Sequence, residues 1–175
     1  VAAVAGGGGW PTNRRPGASR ETKLVPNTTY VQAPTTQPSK KKSRGQKIHK
    51  TPVHIFSEKN GINVRTSTLS DENELVKFKN LKPDLVIVVA YGQIIPNSFL
   101  QISNLSFLNV HASLLPKWRG AAPIERAILN GDKETGVSIM KIKNELDAGP
   151  YIMQTRIKID TETTSGELKE KLSIL

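Results

Sequence analysis

The chain has 175 residues, enough for one domain with a real core and short for two, and its 37% hydrophobic content implies that part of the length adds little to that core. Residues 1–65 hold 12 Lys or Arg against 2 Asp or Glu, while residues 66–175 hold 13 of each, so the whole net charge of +10 lies at the front and points to an anionic partner such as nucleic acid. With no cysteine there is no disulfide framework, thiolate metal site or cysteine nucleophile, and no apolar run approaches the ~20 residues of a membrane-spanning helix, so the default location is cytoplasmic.

Residues 1–29 contain a run of four glycines, three prolines and no hydrophobic periodicity, and are expected to be disordered. The chain starts without methionine and stops inside a helical pattern at KEKLSIL, which reads as a fragment at both ends. QPSKKKSRGQKIHK, from Gln37 to Lys50, is a basic loop with no apolar face. TPVHIFSEKNG predicts a helix with Thr51 as N-cap, Pro52 at its first position and Gly61 as its stop. NVRT is a short strand candidate, and SDENELVKFKNLKP predicts a second helix capped by Ser70, with Pro83 beyond its end.

DLVIVVAYG carries the clearest strand: residues 85–90 are apolar without alternation, as expected for a strand covered on both faces. FLNVH is a further strand, reached through the turn-rich PNSFLQISN. APIERAILNG predicts a helix with Pro123 near its start and Gly131 at its end, GVSIMKI a strand, and YIMQTRIKI an edge or hairpin strand. Thr164 and Glu167 form a candidate capping box for a last helix, TSGELKEKL. This order predicts an α/β domain, Rossmann-like, with a mostly parallel sheet.

In open α/β sheets ligands bind outside the carboxyl ends of strands, which is where Asn109 and His111 fall. Side chains two apart on a strand point the same way, so an amide and an imidazole can converge on one small group. The strand GVSIMKI runs out into KNELDAGP and brings Asp147 toward the same edge. An oxyanion donor, a proton acceptor and an orienting carboxylate together describe acyl transfer to an amine. The competing reading is that His111 is a hydrogen-bonded structural residue. One His and one Asp make a poor metal site, because His49 and His54 lie in another segment; no metal is expected.

NVHASLLPKWRGAAPI together with ELDAGP resembles the methionyl-tRNA formyltransferase family, within the wider group of enzymes that use 10-formyltetrahydrofolate. The likeness runs from about Tyr30 to Leu175. It implies catalysis by Asn109, His111 and Asp147, following the group's Asn, any residue, His pattern with a later Asp. The resemblance of VVAYGQIIP to the strand and loop beside the folate pocket implies donor contacts at Tyr91, Gly92, Gln93, Ile94 and Ile95, and SLLP adds Ser113, Leu114, Leu115 and Pro116. QPSKKKSRGQK resembles the family's basic loop for the tRNA acceptor stem, implying tRNA contacts at Lys40, Lys41, Lys42 and Arg44.

The implied reaction moves the formyl group of 10-formyltetrahydrofolate to the α-amino group of methionyl initiator tRNA, for translation initiation, by a monomer in the bacterial cytoplasm or an organellar matrix, with no metal, membrane or protein partner. The alternatives are another formyl-folate transferase, acting on an amino sugar nucleotide or glycinamide ribonucleotide, and a noncatalytic nucleic-acid-binding α/β module. Nothing in residues 1–29 matches the family's opening strand and glycine-containing loop, and its smaller C-terminal β-barrel tRNA-binding domain is absent. The bare chain is therefore expected to be weakly active or inactive.

Overall fold

The structure of the chain is a computed structural model, which describes residues 2–6, 30–31, 34–42, 47–102 and 106–175. In chain order these form β1 (Ala2–Gly6), β2 (Tyr30–Val31), β3 (Lys40–Lys42), β4 (Lys47–His49), α1 (Pro52–Lys59), α2 (Glu72–Asn80), β5 (Leu85–Val89) and α3 (Asn97–Leu100). Then follow β6 (Ser106–His111), α4 (Pro123–Leu129), β7 (Glu134–Lys141), β8 (Tyr151–Lys158) and α5 (Ser165–Ser173).

Local chemistry sets the helix ends. The Thr51 side chain accepts from the His54 N–H at 3.2 Å ahead of Pro52, and Gly61 takes the left-handed turn at φ +66° that stops α1. At α5 both halves of the capping box are made: Thr164 Oγ1 accepts from Glu167 N and Glu167 Oε2 accepts from Thr164 N. The cap of α2 is Asp71 rather than Ser70. The carboxylate of Asp71 accepts from Asn73 N at 2.9 Å, whereas the Ser70 hydroxyl turns back to Thr68.

Six strands make one sheet in the order β2-β1-β5-β6-β7-β8, and β3 pairs with β4 as a separate antiparallel ribbon. The sheet is mixed, not mostly parallel. Only β5 and β6 run parallel, with Val86 beside Phe107 and Val88 beside Asn109, while the other four pairings are antiparallel. For β7 and β8 the physical reason is connection length: β7 returns as β8 through only residues 142–150, too short for a parallel crossover.

Four further expectations change. Ala2–Gly6 pairs with β5 inside the stretch expected to be disordered, whereas residues 1 and 7–29 lie outside the described residues. NVRT contributes only a single bridge, Arg65 to Thr35. The turn-rich segment after Pro96 contains the short α3. Coverage of β5 also ends early: Val86 and Val88 are buried, but Val89 is 40% exposed, and Ala90 leaves the sheet at φ +46°.

The core has a cluster on each side of the sheet. Phe78 of α2, Phe99 of α3, Phe107, Val86, Val88, Tyr91 and Ile95 fill one, with Phe78 meeting Phe99 edge-on at 5.1 Å between ring centres. Ala127 of α4 and Leu168 and Leu172 of α5 fill the other, joined by Trp118, Val137 and Ile157. Strand alternation puts Phe107, Asn109 and His111 on one face of β6. Phe107 is the core anchor of this row, and Asn109 and His111 carry it toward the strand end.

Candidate active site

The C-terminal ends of β5 and β6 lie side by side, Val89 opposite Val110, so the loops that follow both strands start at one place on the sheet. His111 ends β6, and its residue is only 6% exposed. The residue paired with it on β7 is Ser138, and Asn109 pairs with Met140. Beyond β7, the loop 142–150 folds back over this end and delivers Asp147.

Asn109, His111 and Asp147 are brought into one contact. Asp147 Oδ1 lies 3.4 Å from Asn109 Nδ2, and Oδ2 lies 3.5 Å from His111 Nδ1. Oδ2 also accepts the Gly120 N–H at 2.9 Å, which joins the WRG segment to the same carboxylate. The other ring nitrogen, His111 Nε2, is 2.9 Å from the Trp118 carbonyl oxygen. A carbonyl can only accept, so Nε2 carries the hydrogen, and whenever the ring is neutral the bare nitrogen is Nδ1, facing Asp147.

The backbone around this contact is bent into costly shapes. Five non-glycine residues among those described have positive φ, and four of them, Ala90, Trp118, Ala122 and Asp147, lie in the loops that meet at this sheet end. Such conformations cost about 1–3 kcal/mol each and persist only where the surroundings impose them.

A buried polar network imposes one of them. Ser138 Oγ donates to the Ser113 carbonyl at 2.6 Å and accepts from Leu115 N at 3.0 Å. Gln154 Nε2 of β8 donates both to Ser138 Oγ and to the Leu115 carbonyl, each at 2.9 Å. The Ser113 hydroxyl in turn donates to the Lys117 carbonyl at 2.6 Å. The segment after His111 is thus tied to β7 and β8 at its start. It is tied at its end by Asp132, whose carboxylate accepts from Lys117 Nζ and from Trp118 Nε1.

Burial opposes ionisation of Asp132, but the hydrogen bonds from Lys117, Asn130 and Trp118 outweigh it and hold the carboxyl below its usual range. For Tyr91, burial and the nearby Glu74 charge both push the phenol up, and its hydroxyl is buried without a hydrogen-bond partner among the described residues.

The residues expected to meet the donor divide into two sets. Tyr91 and Ile95 turn into the core, and Ser113 and Leu115 are buried within the polar network, so their side chains are structural in this arrangement. Gly92, Gln93 and Pro116 are exposed, Ile94 is 89% exposed, and Leu114 is half-buried against Gly136. Lys40, Lys41 and Lys42 form β3, of which only the backbone is described, and Arg44 lies outside the described residues. Among the described residues no cluster of three or more His, Asp or Glu could hold a metal ion.

Sequence reasoning missed two backbone groups, the Trp118 carbonyl and the Gly120 N–H, and the side-chain pair of Ser138 and Gln154. Ser138 had a readable signal, being a lone hydroxyl inside the apolar run GVSIMKI. Asp132 had none beyond its place after a helix-ending glycine.

A mixed α/β sheet whose strand end gathers an amide, an imidazole and a carboxylate has the fold of solved formyltransferases. Phosphoribosylglycinamide formyltransferase from Bacillus halodurans superimposes with a TM-score of 0.66 at 24% identity, covering 83% of this chain and 74% of that one. The formyl transferase family model matches residues 19–174, and the chain belongs to that family. This match starts ahead of Tyr30, inside the segment expected to lie outside the family.

Within the family the chain is similar to methionyl-tRNA formyltransferases. It is 53% identical over 154 residues to that of Pelagibacter ubique, covering 87% of this chain and 50% of the relative. It is 46% identical over 146 residues to that of Lactobacillus acidophilus, covering 83% and 46%. The chain therefore spans about half the length of the curated relatives it matches.

Proposed function

We propose that the chain carries the catalytic site of an enzyme that transfers the formyl group of 10-formyltetrahydrofolate to the α-amino group of methionyl initiator tRNA. The observation that carries this reading is the single contact among Asn109, His111 and Asp147 at the shared end of β5 and β6. The relatives called methionyl-tRNA formyltransferase support the choice of acceptor.

When bound, the donor supplies a formyl carbon on a nitrogen that leaves readily. Around that carbon the residues divide the work. The Asn109 amide has two hydrogens; one faces Asp147, and the other is free to donate to the formyl oxygen as it becomes negative. As the amine forms its new bond to carbon, its proton needs an acceptor. Nδ1 of His111 and Oδ2 of Asp147 offer lone pairs 3.5 Å apart, so the proton is held between them and His111 and Asp147 act as one base. The same pair would return that proton to the leaving nitrogen of the donor as its bond to the formyl carbon breaks.

The donor's ring system finds suitable surface at the same sheet end. Ile94 is 89% exposed on the loop after β5, and Leu146 is 69% exposed beside Asp147, so two apolar side chains stand uncovered where a flat heterocycle would bury them. The β3–β4 ribbon carries Lys40, Lys41 and Lys42 on its backbone, and a cationic segment of this kind gains affinity from phosphate contacts. The bacterial relatives favour a cytoplasmic site of action. No helix among the described residues is long and apolar enough to cross a membrane.

The test is formyl transfer to methionyl initiator tRNA by the chain joined to the complementary half of the Pelagibacter ubique relative, with His111→Ala as control. Formylmethionine that forms only with His111 present supports the reading. A folded fusion that binds tRNA and the donor yet forms no product overturns it.

A further inference from the structure

In its neutral form His111 keeps one ring hydrogen, and two acceptors compete for it. Asp147 Oδ2 stands 3.5 Å from Nδ1, and the Trp118 carbonyl stands 2.9 Å from Nε2. A carboxylate is the stronger acceptor, so an unconstrained ring beside Asp147 would put the hydrogen on Nδ1. That tautomer would spend the lone pair that the proposed reaction needs. The carbonyl wins only if it is held close and well aimed.

Four observations show what holds it. Trp118 is at φ +59°, a left-handed conformation that a bulky residue adopts only under constraint. Its indole Nε1–H donates to Asp132 Oδ2 at 2.7 Å, and Asp132 has a side chain only 5% exposed. Asp132 is itself fixed, since its backbone N–H donates to the Ala127 carbonyl at the end of α4 and its Oδ1 accepts from Asn130 Nδ2 at 2.6 Å. The Trp118 side chain packs against the cluster formed by α4 and α5. Indole and carbonyl belong to one residue, so anchoring the first aims the second.

We infer that Asp132 is a positioning residue for the reaction: by gripping the Trp118 indole it aims the Trp118 carbonyl at His111 Nε2 and so keeps the imidazole in the tautomer whose bare Nδ1 faces Asp147. Asp132 touches neither substrate nor reacting atom. Lys117 also reaches both partners from an exposed position, its Nζ 2.8 Å from Asp132 Oδ1 and 5.3 Å from the Trp118 ring centre, but neither contact engages the indole N–H that anchors the ring. The kinetic consequence rests on the formyl-transfer reading; the tautomer does not.

The measurement is the pair of ring ¹⁵N shifts of His111 in the neutral ring, a tractable assignment in a chain with three histidines. The protein is compared with Asp132→Ala, Trp118→Phe, the double variant and Lys117→Met. The hydrogen is expected on Nε2 in the unaltered protein and in Lys117→Met, and predominantly on Nδ1 in Asp132→Ala and Trp118→Phe. In the fusion to the complementary half of the Pelagibacter ubique relative, the kcat for formyl transfer should fall about 10–100-fold in both of the latter with KM nearly unchanged, as for other groups that orient a reacting histidine or ligand. The double variant should be no worse than either single one, because the two residues form one relay.

A hydrogen on Nδ1 in the unaltered protein overturns the inference. So does a tautomer that stays put in folded Trp118→Phe, or one that moves equally in Lys117→Met. If the tautomer switches as stated but the fusion forms no formylmethionine, the control of the His111 tautomer by Asp132 stands and the proposed reaction falls.

Discussion

The Asp147 carboxylate accepts the backbone N–H of Gly120 at 2.9 Å, across 27 positions of sequence. This bond ties the loop after β7 to the loop after β6, and it uses the oxygen that also faces His111. Asp147 is at φ +45°, where Asp and Asn are tolerated far better than other side chains. Asp147→Asn therefore removes the charge with little effect on the backbone. It should leave the melting temperature within a few degrees while lowering formyl transfer by about 10²–10⁴-fold, the usual worth of a positioned acid or base. Asp147→Ala should lose both activity and stability, and thermal melts beside initial rates separate the two variants.

Gly149 shows why that loop lies where it does. A Cβ added there would drive into the Lys141 backbone carbonyl, and Lys141 N accepts no alternative arrangement easily because it donates to the Pro150 carbonyl at 3.0 Å. Gly149→Ala must push the loop off β7 and displace Asp147, with a stability loss of about 1–3 kcal/mol and a large fall in activity. Gly131→Ala is the contrast. At φ +65° with nothing within 4 Å, it should cost about 1 kcal/mol of backbone strain in a denaturant melt and leave the rate unchanged.

The Ser138 hydroxyl is wholly buried and serves two backbone atoms of the segment after His111. Ser138→Ala strands the Leu115 N–H and removes a donor from the Ser113 carbonyl. The expected cost is about 1–3 kcal/mol in urea, with faster amide exchange at Leu115 than in the unaltered protein. Exchange unchanged at Leu115 would mean that Ser138 does not hold the segment.

Much of this was legible in the sequence where short-range rules apply. The caps of α1 and α5, the β5 and β6 strands and the same-face spacing of Asn109 and His111 all follow from local chemistry or a two-residue period. Strand direction was not legible, because a run such as Tyr151–Lys158 reads the same in either direction and only the short return from β7 makes it antiparallel. The packing of the Tyr91 and Ile95 side chains into the Phe78 cluster was not legible either, because no local pattern distinguishes it. The backbone atoms of Trp118 and Gly120 that complete the site have no residue-type signal at all, since any residue carries a carbonyl and an N–H.

Glu74 links the core to pH. Its side chain is 3% exposed, with Arg65 at 2.6 Å and Lys77 at 3.0 Å. Burial opposes its charge, but the hydrogen bonds from Arg65 and Lys77 outweigh that and hold the carboxyl below its usual value. A depressed folded value means that the stabilisation is complete above the unfolded value of about 4.3 and is lost as pH falls through the folded one. Glu74→Gln should therefore be less stable than the unaltered protein at neutral pH, by about 1–3 kcal/mol, and the two should converge in acid. Arg65→Met should cost more at neutral pH, about 3 kcal/mol or above, because it leaves a buried carboxylate with only the exposed Lys77 as partner. Urea midpoints from pH 3 to pH 8 measure both. A constant gap between Glu74→Gln and the unaltered protein across that range would show that the Glu74 charge is not what ties α2 to Arg65.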